Sequence, residues 1–192
     1  MPDLIETFSA LISAYGVFLT ARRSLLGWPI SLIATLLYGW IFYRAHLYAD
    51  TILQVIFGIG ILYGWVLWHA ESQRKASTSD FVKNLPPRPL YWPAAAIGAL
   101  STLFLTIGWS LILKYWSDDP IPLMDAALSS ASLLAQFWTA RRYRASWLLW
   151  SAIDLIYTGL FITRGLYPTA ALYAGFIGIA LYGYTAWRPR PH

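Results

Sequence analysis

The sequence predicts an all-α membrane protein: seven transmembrane helices in a 3+1+3 arrangement, two parallel three-helix repeats joined by one extra crossing. Three observations predict it. The 192-residue chain is 58% hydrophobic and 12% charged, with a mean hydropathy of +0.51, far more apolar than a soluble domain. Seven windows, about 4–20, 25–43, 51–69, 91–113, 122–140, 146–163 and 170–187, are nearly free of charge, and each approaches the ~20 residues that cross a hydrocarbon core. Residues 18–68 recur without a gap as residues 137–187. Strands of a membrane barrel would alternate with period two, and these windows do not.

The repeat is read by laying TARR at 20–23 over TARR at 139–142, a shift of 119. Trp28 then falls on Trp147, Tyr38 on Tyr157, Phe42 on Phe161, Leu62-Tyr63-Gly64 on Leu181-Tyr182-Gly183, and Trp68 on Trp187. Roughly a third of the aligned positions are identical, which chance does not explain.

Taken in order, the first window is preceded by Asp3 and contains Glu6, with no Lys or Arg, so a cleavable leader is not expected. The second carries Pro29 near one end, where a proline either kinks a helix or starts its first turn. The third holds Gln54 inside the span. The polar, proline-bearing stretch 71–90 reads as a linker. The fourth window lies outside both copies. Three crossings reverse the chain an odd number of times, so two adjacent triplets would be inverted; one extra helix restores a common orientation. The fifth, sixth and seventh windows form the second copy. The division is therefore 1–70 (first bundle), 71–90 (cytoplasmic linker), 91–121 (inverting helix and outer loop), 122–187 (second bundle) and 188–192 (cytoplasmic tail).

All but three of the 14 Lys and Arg residues fall on one side of this topology. The exceptions are Arg44, Lys114 and Arg164, accompanied by Asp3, Glu6, Asp118 and Asp119. Positive charge marks the cytoplasmic face, so the N-terminus is expected outside and the C-terminus in the cytoplasm of a multi-pass inner-membrane protein. The net charge of +5 is explained by that asymmetry, and nucleic acid is not an expected partner. The 11 Trp and 13 Tyr suit interfacial belts, with some left for a cavity.

The sixth helix carries the chemistry. At 100° per residue Trp147, Trp150, Asp154 and Tyr157 fall within about 80° of arc, so one face bears two indoles, a carboxylate and a phenol. An ionised Asp near the bilayer centre costs roughly 2.5–3.5 kcal/mol, which directs Asp154 toward the bundle interior or water. The functional reading is a ligand slot in which indoles stack on a flat or cationic ring and Asp154 fixes polar groups. The bland reading is a carboxyl bonded to a neighbouring helix. The equivalent helix 2 face is Trp28, Ser31, Thr35 and Tyr38, without the charge. Gln54, whose repeat mate is Tyr173, offers an amide that both donates and accepts. Gln136 is expected at the interface, and Asp125 in an outer funnel or as a solvated helix-start acid.

Chemistry of other classes is poorly represented. Cys is absent, and His46, His69 and His192 lack metal-ligand spacing, so neither a metal nor a cofactor is expected. No Walker motif or nucleophile elbow occurs, which argues against an ATP pump or an enzyme. A retinal-type protein needs a Lys within helix 7, and there is none. A membrane ligand sensor is the alternative from another class.

The stretch LLYGWIFYRAHLYADTILQVIFGIGILYGWVLW, followed by MDAALSS, TARRYRASWLLWSAID and LYGYTAW, resembles the PnuC family of bacterial vitamin transporters over nearly the whole chain. Its most specific element is W-x-x-W-x-x-x-N/D, here Trp147, Trp150 and Asp154. The resemblance implies a SWEET-related fold, uptake of nicotinamide riboside by facilitated diffusion, trapping by a cytoplasmic kinase and a homotrimer. It also implies that Trp147 and Trp150 enclose the ring while Asp154 and Gln54 bond polar groups. Asp154 stands where riboside carriers usually have Asn, and Ala34 where some relatives have Asn. An ionised carboxylate accepts but does not donate, and it favours a cationic ring. Thiamine therefore competes with nicotinamide riboside, and riboflavin is a further alternative.

Overall fold

A computed structural model describes residues 4–76, 86–116 and 120–188. Those residues contain seven helices: α1 (Leu4–Ala21), α2 (Gly27–Arg44), α3 (Tyr48–Ala76), α4 (Trp92–Trp116), α5 (Pro122–Ala140), α6 (Ala145–Thr163) and α7 (Tyr167–Ala186). Each occupies one apolar window. Helix α3 overruns its window and continues to Ala76, into the stretch expected to be linker. The overrun is held by Glu71, which bonds Arg88 at 2.7 Å and also pairs with Arg142. The rest of that linker, 77–85, lies outside the described residues, as do Asp3, Lys83, Asp118, Asp119 and Arg190 from the charge pattern.

Four of the helices (α3, α4, α6 and α7) are long and apolar enough by themselves to cross a membrane. Helix α5 shows why others fall short. Its buried face is small and hydroxylated, with Ala126, Ser130, Ser132, Ala135 and Thr139, because it packs against α3, α4 and α6 together. Small residues let helix backbones approach closely. The outward surface is the reverse: Phe104 is 82% exposed, and Val66, Leu36 and Leu100 are also exposed. Exposed large apolar side chains in this number belong in lipid.

Six helices close a ring. Helix α1 packs on α2, α2 on α3, α3 on α5, α5 on α6, α6 on α7, and α7 back on α1, while α4 packs on α5 from outside. The ring maps onto itself under the 119-residue shift. So do its turns. Arg23 and Arg142 adopt left-handed φ of 59° and 62°, and His46 and Gly165 do the same at 60° and 73°. In each case the following N–H returns to a carbonyl five residues back, from Ser24 to Leu19, Tyr143 to Trp138, Leu47 to Phe42 and Leu166 to Phe161. These are Schellman-type helix ends, which satisfy carbonyls the helix leaves open.

The C-terminal ends of α1, α3, α5 and α7 meet at one end of the ring, and indoles brace them. Trp68 Nε1 donates to the Ala140 carbonyl and Trp187 Nε1 to that of Ala21, both at 2.9 Å. Each brace runs from one repeat to the other, and position 21 plus 119 is 140. Trp28 packs perpendicular to Trp68 and Trp147 perpendicular to Trp187, with ring centroids 5.3 Å apart in both pairs. All four indoles are fully buried. Arg23 adds a bond to the Ala186 carbonyl, and Arg144 donates to that of Tyr184 at 2.8 Å while lying over its ring. The arginine-rich turns therefore gather at this end.

Candidate functional site

A cavity of about 220 Å³ lies inside the ring, lined by side chains from all six ring helices and none from α4. Helix α1 contributes Ser13, Val17 and Thr20; α2 contributes Trp28, Ser31 and Thr35; α3 contributes Phe57 and Ile61. From the second repeat come Gln136 and Thr139 on α5, Trp147, Trp150 and Asp154 on α6, and Tyr173, Phe176 and Ala180 on α7. Most are repeat mates: Thr20 faces Thr139 in this sense, Trp28 Trp147, and Phe57 Phe176. Equivalent positions of the two repeats thus line the cavity together.

The symmetry fails chemically at three adjacent places. Val17 corresponds to Gln136, Ser31 to Trp150, and Thr35 to Asp154. At each the second repeat bears the larger or more strongly hydrogen-bonding group. Helix α6 positions two of them at an i, i+4 spacing on one face. Trp150 Nε1 donates to Thr139 Oγ1 at 3.2 Å, and that hydroxyl donates to the Ala135 carbonyl at 2.8 Å. The hydrogen-bonding capacity of Trp150 is thereby used by the protein, and its ring remains only partly buried.

Asp154 is 7% exposed and borders the cavity. Its carboxylate has no hydrogen-bond or ion-pair partner among the described residues. Taking a carboxylate out of water without a partner costs several kcal/mol, so a ligand that supplies a positive charge or an N–H donor recovers that energy. The hydroxyl of Thr158 bonds the Asp154 backbone carbonyl instead, at 2.7 Å.

Of the residues expected at a site, Trp28, Thr35, Trp147, Trp150, Asp154 and Tyr173 come together here. Trp147, expected to stack on a ligand, is only 1% exposed. Its ring lies where a side chain on Gly183 would be, and Trp28 lies in the same way over Gly64, its repeat equivalent. Both indoles build the wall, and Trp150 is the one with ring surface left. Their Nε1 atoms are buried without a hydrogen-bond partner among the described residues.

Tyr38, Tyr157 and Gln54 are not brought to this cavity. Tyr38 stacks on Phe42 and Tyr157 on Phe161, each with centroids 5.9 Å apart, because both phenols lie one turn beyond the cavity along their helices. Tyr157 also touches Tyr173, centroids 5.1 Å apart, so this aromatic layer separates the cavity from a second hollow of about 650 Å³ at the opposite end. That hollow is bordered by Tyr157, Asp125, Asp50 and Arg164, which places Asp125 in a vestibule. Gln54 stands a turn before Phe57 and packs beside Gly39 of α2. From the equivalent position Tyr173 reaches the cavity because a phenol is longer than an amide. Gln136, expected at the interface, lies on the cavity instead. Its spacing of three from Thr139 was the available signal.

The sequence model of a family described as nicotinamide mononucleotide transporter matches residues 3–189. The chain is 27% identical over 203 residues to the nicotinamide riboside transporter PnuC of Escherichia coli (strain K12), covering 95% of this chain and 84% of that protein. It is 26% identical over 187 residues to the riboflavin/roseoflavin transporter RibM of Streptomyces davaonensis, covering 96% and 83% respectively. The crystal structure of the vitamin B3 transporter PnuC shares its fold with a TM-score of 0.71 at 17% identity, covering 95% of this chain and 81% of that one.

Proposed function

The chain belongs to the nicotinamide mononucleotide transporter family, and from that premise we propose that it carries a flat, cationic vitamin across the bacterial inner membrane, with nicotinamide riboside as the substrate. The observation that supports this most is Asp154: a buried carboxylate, without a partner among the described residues, facing a cavity lined by six helices. A pyridinium ring stacked on Trp150 brings its positive charge to that carboxylate. Two like-facing triplets then alternate access to the cavity, with the arginine-rich end and its tryptophan braces in the cytoplasm and the vestibule outside. Transport is facilitated diffusion, since one acid lies deep in a span and no coupling partner accompanies it among the described residues. Net uptake depends on a cytoplasmic kinase that phosphorylates the vitamin and so prevents its exit. The homotrimer belongs to the same reading.

Thiamine, which also carries a cationic ring, is the runner-up on the same carboxylate. Riboflavin is supported by the likeness to RibM but gives Asp154 no charge to meet. Labelled nicotinamide riboside, thiamine and riboflavin, each offered to proteoliposomes without a kinase, decide among them. The expected result is equilibration of nicotinamide riboside alone, unaffected by a protonophore. Accumulation above the outside concentration that a protonophore abolishes would refute the uncoupled mechanism. Binding without flux would favour a sensor.

A further inference from the structure

Three polar groups around the cavity are already satisfied by the protein. Thr20 Oγ1 bonds the Gly16 carbonyl, Thr139 Oγ1 that of Ala135, and Trp150 Nε1 bonds Thr139. Serine and threonine hydroxyls elsewhere on the wall can turn to carbonyls of their own helices. A carboxylate and a primary amide have no such local option. Those two groups are Asp154 and Gln136, and the amide of Gln136, like the carboxylate, makes no hydrogen bond among the described residues. Gln136 is half-buried on the cavity wall, so its amide is within reach of a ligand there.

Helix geometry puts the two at one level. Thr139 of α5 and Trp150 of α6 are joined by a hydrogen bond, and α5 and α6 are consecutive helices running in opposite directions across a short turn. Three residues back along α5 and four forward along α6 are displacements of about 4.5 and 6 Å in the same direction. Gln136 and Asp154 therefore flank the Trp150 indole from neighbouring helices. The side chain of Gln136 also has a seat. A Cβ built on Gly60 of α3 would stand 3.3 Å from Gln136 Cγ, so the glycine leaves room for the stem that carries the amide. Both groups are departures from the internal repeat: the equivalent residues are Val17 and Thr35.

We propose that Gln136 determines which flat cations this chain accepts, by hydrogen-bonding a carboxamide borne on the ring that Trp150 and Asp154 hold. The proposal rests on the transport reading above and adds to it the residue that reads the carboxamide on the ring. A ring cation alone satisfies Asp154 and leaves Gln136 unpaired. A carboxamide has one acceptor and two donors, which the amide of Gln136 complements in either orientation. Gly60 acts on the same contact as a positioning residue.

The test is a cycle in protein and ligand, by calorimetric titration of the purified full chain with nicotinamide riboside and with N-ribosylpyridinium, which lacks only the carboxamide. The unaltered protein should lose about fivefold to tenfold in affinity when the carboxamide is removed. Gln136→Leu should weaken nicotinamide riboside by a similar factor and bind the two compounds within about twofold of each other. Gly60→Ala, which favours the helix and should fold, is expected to weaken nicotinamide riboside more than N-ribosylpyridinium, an effect abolished in Gln136→Ala. An unchanged carboxamide preference in Gln136→Leu would overturn the assignment, as would a Gly60→Ala effect that persists in Gln136→Ala. If the unaltered protein binds neither compound, the transport reading itself fails at its substrate.

Discussion

Replacing Asp154 by Asn isolates the charge on which the transport reading turns. The substitution keeps the shape and an acceptor oxygen of a residue that is 7% exposed on the cavity wall, so packing around it should survive. What is lost is a charge-assisted contact worth about 1.5–3 kcal/mol, which corresponds to about tenfold to a hundredfold in affinity for a cationic ring. The dihydro form of nicotinamide riboside has the same ribose and carboxamide on an uncharged ring, and for it the variant should lose less than about threefold. Titration calorimetry of both ligands against both proteins gives the comparison directly. Without ligand, Asp154→Asn should melt no lower than the parent, because a buried carboxylate without a partner is a cost to the fold. Equal losses for the charged and uncharged ligands, or an unchanged affinity for both, would refute the argument.

Trp68→Phe and Trp187→Phe each remove an indole donor and leave a buried carbonyl, of Ala140 or Ala21, without its bond. Each should cost about 1–3 kcal/mol, by similar amounts, and thermal melting in detergent reads both; a one-sided effect would mean the two braces are not equivalent. Gly64→Ala and Gly183→Ala place a methyl inside the rings of Trp28 and Trp147, an overpacking worth about 1–3 kcal/mol that should lower the melting temperature and weaken ligand binding. Gly175→Ala meets nothing within 4 Å and should be neutral or slightly stabilising, so an equal loss there would show that helix glycine content, not the tryptophan wall, sets the effect.

The two-fold character of this protein is legible because duplication leaves its mark on a linear chain. Matching TARR, Trp28 with Trp147, and Trp68 with Trp187 requires no knowledge of distance. The same holds for the helices, since about twenty apolar residues announce a crossing wherever they occur. Helix α3 is the exception, and its extension to Ala76 depends on Glu71 finding Arg88 and Arg142, contacts made across large separations in sequence.

At the cavity the division is finer. Periodicity along α6 alone put Trp147, Trp150, Asp154 and Tyr157 on a common face, and sequence was enough to single out the lone acid. Depth and competition for space are tertiary. Tyr157 shares the face but sits a turn too far along, Trp147 spends its ring on Gly183 and Trp187, and Gln54 is too short to reach where Tyr173 does. Gln136 became a cavity residue only when α5 was seated against α3 at Gly60. A helix sequence fixes the angle of a side chain about its own axis, whereas what that side chain meets is set by neighbours contributed from distant parts of the chain.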